Sequence, residues 1–268
     1  EGSQPLGRPP RDLLDVIARM AIAAPGTASL RALTRSTSND VTRDPQIRRA
    51  ALEVSRSLRA LFNLPESHDL LEGLGSPQPL WRQALDYCLD GCLQAVLDEY
   101  AYVLREHLGM VEKVPNRESN EGVAAGMAEA IGLRATNAGV DYFETGNDGV
   151  ERVAQRMRTR FALRFGDQPG EAESNLARAD QVRAAFNSPF WPFVLASTSV
   201  GQEGLDFHLY CHAVVHWNLP SNPVDLEQRE GRVHRFKGHA IRKNLAAVHG
   251  QTTLDHRHPD TWDQLFAA

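Results

Sequence analysis

Cysteine is scarce in this chain: three residues in 268 cannot build a disulfide framework, so the thiols are expected to be reduced, as in a cytoplasmic protein. Long apolar runs are missing too. No uninterrupted run approaches the roughly 20 residues that a bilayer crossing needs, and no signal-peptide core opens the chain, so no membrane partner is expected. Basic excess is also absent, since the net charge is −5. Nothing fits Gly-x-x-x-x-Gly-Lys-Ser/Thr, the loop whose amides and lysine cradle nucleotide phosphates. With 42% hydrophobic and 24% charged residues, the chain is ordinary globular material, long enough for two modest domains.

Its charge is unevenly spread. Residues 1–62 carry ten arginines and six acids, residues 63–150 five bases and fifteen acids, and residues 151–268 fourteen bases and thirteen acids. Phosphate binding follows local basic contacts and not the sum, so nucleic acid is permitted but not indicated.

Apolar spacing divides the chain. Asp12–Ala24 and Asp44–Phe62 read as amphipathic helices; the second sets Ile47, Ala51, Val54 and Leu58 on one side, with Arg48, Arg49, Arg56 and Arg59 elsewhere on its surface. Pro79–Leu108 reads as one long helix striped by Trp81, Leu85, Cys88, Cys92, Val96, Tyr100 and Val103. Cys88 and Cys92 have no Cys or His partner motif nearby, so packing explains them better than a metal. These features predict an all-helical segment over residues 1–115 and a polar, glycine-bearing linker or mobile loop over 116–129. A second domain follows over 130–268. Short β-leaning pieces lie at 130–143, a helical spacing at Val150, Val153, Ala154 and Met157, and another at 176–186. Phe193–Ala196 and Ala213–Trp217 are short apolar runs of the kind buried in a parallel sheet, which makes this part α/β.

Chemistry concentrates in 197–235. The spacing Gln-x-x-Gly-Arg-x-x-Arg is filled by Gln228, Gly231, Arg232 and Arg235. On a helix, Gln228, Arg232 and Arg235 fall at i, i+4 and i+7, one face carrying two guanidiniums. The planar fork of arginine keeps its charge and bonds phosphate oxygens in pairs. An exposed basic helix making surface ion pairs is the plain alternative. Upstream stands Ser197-Thr198-Ser199-Val200-Gly201-Gln202-Glu203-Gly204-Leu205-Asp206, and between the two lie Asn218-Leu219-Pro220 and Asn222-Pro223. His208, Cys211 and His212 are too tightly spaced for the usual paired zinc knuckles.

Ser197–Arg235 resembles motifs V and VI of superfamily 2 helicases and translocases, in wording nearest the Swi/Snf-like branch. The resemblance implies a RecA-like C-terminal lobe, a parallel sheet with flanking helices. It implies ATP with Mg2+ as cofactor, bound mainly by an N-terminal RecA-like lobe of the same protein, and nucleic acid, double-stranded DNA above all, as partner. Arg232 and Arg235 would face the γ-phosphate, Arg235 as arginine finger, with Gln228 orienting the cluster. Gly204, Asp206, Glu203 and Gly231 would lie toward the nucleotide, and Ser197, Thr198, Ser199 and Gly201 toward the nucleic-acid backbone. Val96–Glu99 does not serve as the Mg-binding acidic box, because its apolar neighbours recur at helical spacing. Without the phosphate loop, the chain alone is expected to hydrolyse no ATP. The other readings are a protein-docking module with vestigial motifs and an RNA helicase lobe.

Overall fold

A computed structural model describes residues 8–35, 44–74, 78–110, 117–132, 136–146, 149–159, 180–196, 206–253 and 261–267. They fall into two compact units, one formed by 1–128 with 253–268 and the other by 129–252.

The first unit is helical: α1 (Leu13–Ala23), α2 (Pro25–Thr34), α3 (Pro45–Phe62), α4 (Pro65–Leu74), α5 (Leu80–Asp90), α6 (Leu93–His107) and most of α7 (Arg117–Gly132). Leu13–Thr34 is, by length and a mean hydropathy of 1.3, apolar enough to cross a membrane. That window escaped a reading based on uninterrupted runs. It does not form one rod: Ala24 is extended and Pro25 opens a new helix. The small face of α2 (Ala28, Ser29, Ala32, Leu33) is buried where α2 packs on α3 and α6. On α3, Asp44 accepts from the Gln46 amide at 2.8 Å and caps the helix, and Pro45 fits its first position. Its buried stripe is Ile47, Ala51, Val54 and Leu58. Wholly buried, the isoleucine, valine and leucine side chains each contribute about 1.5–3 kcal/mol.

The long helix expected over 79–108 is two helices. α5 ends at Gly91, where a Cβ would stand 2.9 Å from the Tyr87 carbonyl oxygen, and Cys92 takes a left-handed conformation at φ 49°. The apolar stripe therefore changes phase. Leu85 and Cys88 are buried on α5, Leu93, Leu97 and Tyr100 on α6, while Trp81 and Cys92 are exposed. Asp98, inside the rejected acidic box, pairs with Arg35 at 2.6 Å and serves packing between helices. The segment 116–129, read as linker or loop, is largely α7, which buries Asn120, Val123, Ala124 and Met127. Gly126 stands against the Leu104 side chain, at a distance where a Cβ would make ordinary contact at 3.5 Å.

In the second unit, β1 (Thr136–Gly146) and β2 (Gly149–Thr159) form an antiparallel hairpin that pairs Tyr142 with Val153 and Gly146 with Gly149. Residues 150–157, read as helical, are thus strand. Beyond it stand α8 (180–186), α9 (Pro223–Gly231) and α10 (His239–Thr253); α11 (Thr261–Ala267) belongs to the first unit.

The α/β expectation of a RecA-like parallel sheet is overturned. Among the described residues the only sheet is this two-stranded antiparallel ribbon. The runs expected as buried parallel strands, 193–196 and 213–217, form none. Val194 is 80%, Val215 87% and Trp217 94% exposed. A parallel strand is covered on both faces, and these side chains are uncovered.

Candidate functional site

The local core of the site is small: Phe186 from the end of α8, Phe207 and Val233, with Leu195 and Cys211 packed against them. Phe186 and Phe207 meet edge to face at 5.5 Å between ring centroids. This core sets Asp206 beside the segment that follows α9. The Phe207 amide donates to the Arg232 carbonyl at 3.3 Å, and Asn187 Nδ2 donates to the Asp206 carbonyl at 2.6 Å.

Helix α9 begins where Asn222 accepts from the Val224 amide at 3.1 Å, with Pro223 at the first turn. It stops at Gly231, before the second arginine. Val233 is buried, so the chain must turn inward there, and the amides of Val233 and His234 both donate to the Glu230 carbonyl at 3.0 Å. The single helical face expected for Gln228, Arg232 and Arg235 therefore does not form. Gln228 and Gly231 are exposed at the helix end, Arg232 is its C-terminal cap, and Arg235 lies past it. A Cβ at Gly231 would meet nothing within 4 Å, so no close approach demands glycine there.

Arg235 instead reaches Asp206. Its Nη1 donates to Oδ2 at 2.9 Å and its Nη2 lies 2.7 Å from Oδ1, a two-pronged pair with side chains 47% and 41% exposed. Two positions separated by 29 residues, one from each motif, thus share one ion pair. Ser197, Thr198, Ser199, Gly201, Glu203 and Gly204 lie outside the described residues.

Residues 171–237 match the helicase conserved C-terminal domain. The matched segment contains the whole of the Asp206–Arg235 arrangement. A stretch of 43 residues is 44% identical to the uncharacterized ATP-dependent helicase YqhH of Bacillus subtilis (strain 168). It covers 16% of this chain and 8% of that relative, so the chain answers to a small part of the relative's length. No solved structure matches.

Sequence reasoning missed the residues that brace the site. Arg242 on α10 is 1% exposed and donates to the Lys237 carbonyl at 2.8 Å and the Leu209 carbonyl at 2.5 Å. It also stands over the Tyr210 ring at 5.4 Å. Gly238 makes that approach possible: a Cβ there would sit 2.9 Å from the Arg235 carbonyl and 3.3 Å from that of His208. The preceding Lys237 is left-handed at φ 57°. No spacing rule singles out Arg242, because its partners are backbone carbonyls distant in sequence. His239 stacks loosely on Tyr210 and His212, at 5.7 and 5.4 Å. Burial lowers its pKa to about 4, helped by the charges of Arg242, His212 and Lys243. Among the described residues no group of three His, Cys, Asp or Glu side chains is placed to hold a metal.

Proposed function

We propose that this chain supplies the C-terminal part of an ATP-dependent DNA helicase or translocase, with Arg235 as its arginine finger. The observation that carries the reading is the two-pronged Asp206–Arg235 pair inside the segment that matches a helicase C-terminal domain. The wording Asn218-Leu219-Pro220 and Asn222-Pro223, similar to the Swi/Snf-like branch, favours double-stranded DNA as the partner. Three free cysteines accord with a cytoplasmic protein.

The residues present suit a nucleotide phosphate in part. The guanidinium of Arg235 is nearly half exposed and already grips an oxyanion through two nitrogens, the same geometry in which arginine takes phosphate oxygens. The phosphate loop has no counterpart in this sequence, so ATP and Mg2+ would be held mainly elsewhere in the protein. ATP, when bound, supplies the phosphoryl group whose transfer drives the machine. This chain's part is electrostatic. Arg235 offers a positive charge, and Asp206 holds it in place until a stronger anion competes. Arg232 is tied by its backbone, its carbonyl accepting from the Phe207 amide, and on this reading it supplies the second guanidinium. Gln228 and Gly231 are exposed at the end of α9, which leaves them open to the phosphate contact that this reading gives them.

The deciding experiment is ATPase activity of the full-length protein, with duplex DNA, RNA or neither, beside the Arg235→Ala variant. Stimulation by duplex DNA that falls by about 10³-fold or more in the variant is expected. Stimulation by RNA alone would make it an RNA helicase. Activity indifferent to nucleic acid and to the substitution would leave a docking module with vestigial motifs.

A further inference from the structure

We propose that the outward face of α3 is a second nucleic-acid contact, which grips the phosphate backbone of a duplex through Arg48, Arg49, Arg56 and Arg59. The buried stripe of α3 (Ile47, Ala51, Val54, Leu58) faces α2, and the four arginines are all exposed, Arg49 and Arg56 opposite that stripe and Arg48 and Arg59 on its flank. Positions 48, 52, 56 and 59 recur at steps of three and four, which aligns three of the arginines along one line of the helix. Arg49 lies beside that line. Helical rise puts Arg48 and Arg59 about 16 Å apart along the axis, which covers about five phosphate steps of one DNA strand. The one acid on the helix is Glu53.

Side-chain chemistry selects the partner. The first 62 residues hold ten arginines and no lysine, and arginine is the cation whose fork pairs with phosphate oxygens two at a time. A line of like charge matches a polyanion of regular spacing. An acidic protein patch presents scattered carboxylates and would match it less well. The acid excess lies in residues 63–150 and outside α3, so the face keeps its local sign although the whole chain is at −5. Leu52, 48% exposed within the line, offers an apolar contact to sugars. The choice of nucleic acid rests on the helicase reading; the face itself is independent of the Asp206–Arg235 pair.

The test is binding of a fluorescent 20-base-pair DNA duplex by the 268-residue chain, followed across salt concentration. For Arg49→Gln/Arg56→Gln/Arg59→Gln, affinity at low salt is expected to fall at least about tenfold. The slope of log affinity on log salt is expected to shrink by about 2–3, since each lost phosphate contact removes about 0.9. The corresponding triple lysine variant recovers the slope, and Glu53→Arg, which adds a cation, strengthens binding several-fold. All four positions are exposed, and a thermal melt checks that each variant folds. An unchanged affinity and slope in the glutamine variant overturns the proposal, as does a slope that lysine fails to recover. No binding by the parent chain, or equal binding to polyglutamate, also overturns it. Arg235→Ala is run in parallel, its ATPase read in the full-length protein. Duplex binding lost with α3 while ATPase ignores Arg235 would sink the helicase reading alone; ATPase lost with Arg235 while the α3 variant binds normally would sink this proposal alone.

Discussion

Arg235 meets Asp206 through both guanidinium nitrogens, at 2.7 and 2.9 Å, across 29 residues of sequence. Both side chains are close to half exposed, and an ion pair in that setting contributes at most about 1 kcal/mol, less in salt. Its geometry is therefore more than stability requires. Asp206→Asn is expected to lower the stability of the chain by under about 1 kcal/mol in urea unfolding, while changing the ATPase of the full-length protein several-fold. A large loss of stability with unaltered turnover would show the pair to be merely structural.

Arg242 should behave in the opposite way. It is buried, and its two guanidinium nitrogens serve carbonyls of Lys237 and Leu209. Arg242→Met leaves both carbonyls without that donor, at an expected cost of about 2–4 kcal/mol. Thermal unfolding of the 268-residue chain measures it; a shift of a degree or less would contradict the bracing role.

The low pKa of His239 makes stability depend on pH. The folded chain holds this imidazole neutral down to about pH 4, whereas an ordinary histidine protonates at 6.5, so the unfolded state takes up the proton first. Stability from this site is fully present above pH 6.5 and declines as pH falls toward about 4. Allowing for partial exposure, the loss is about 1–2 kcal/mol. His239→Gln should flatten that part of the profile, seen by urea midpoints at pH 7 and pH 4.5. An unchanged profile would assign the decline to other groups.

The cysteines should differ sharply in reactivity. Cys88 is buried and its thiol is pushed up to about 12, because burial penalises the thiolate. Cys92 is exposed four residues later. An aromatic disulfide reagent at pH 8 should titrate Cys92 within seconds to minutes and Cys88 only as the chain unfolds. Equal rates would mean that α5 is not packed as described.

Cys92 also carries backbone strain, at φ 49° between α5 and α6. Glycine adopts that conformation without a Cβ penalty, so Cys92→Gly should stabilise the chain by about 0.5–1 kcal/mol, read from the urea midpoint. A destabilised variant would show that the side chain, and not the backbone, matters at this break.

Local spacing alone was enough for the amphipathic helix α3, since five apolar residues at helical steps leave few other ways to bury them. Asp206 and Arg235 were singled out by the resemblance to motifs V and VI, which did not foretell that the two side chains pair. The break at Gly91 and Cys92 was not legible, because a stripe can continue in letters while the chain changes phase underneath. Nor was the strand at 149–159, where the partner segment 136–146 overrides a helical spacing by offering backbone hydrogen bonds. The apolar runs at 193–196 and 213–217 misled for the reverse reason: an apolar run becomes a buried strand only when neighbours cover it. What the sequence alone determined is which residues carry charge near 206–235 and which helices are amphipathic, since these follow from local composition and period. What only the tertiary structure decided is that α9 ends before Arg235 and that Arg235 turns to Asp206. Burying Val233 against Phe186 and Phe207 outweighs another turn of helix, and that balance involves contacts no local spacing contains.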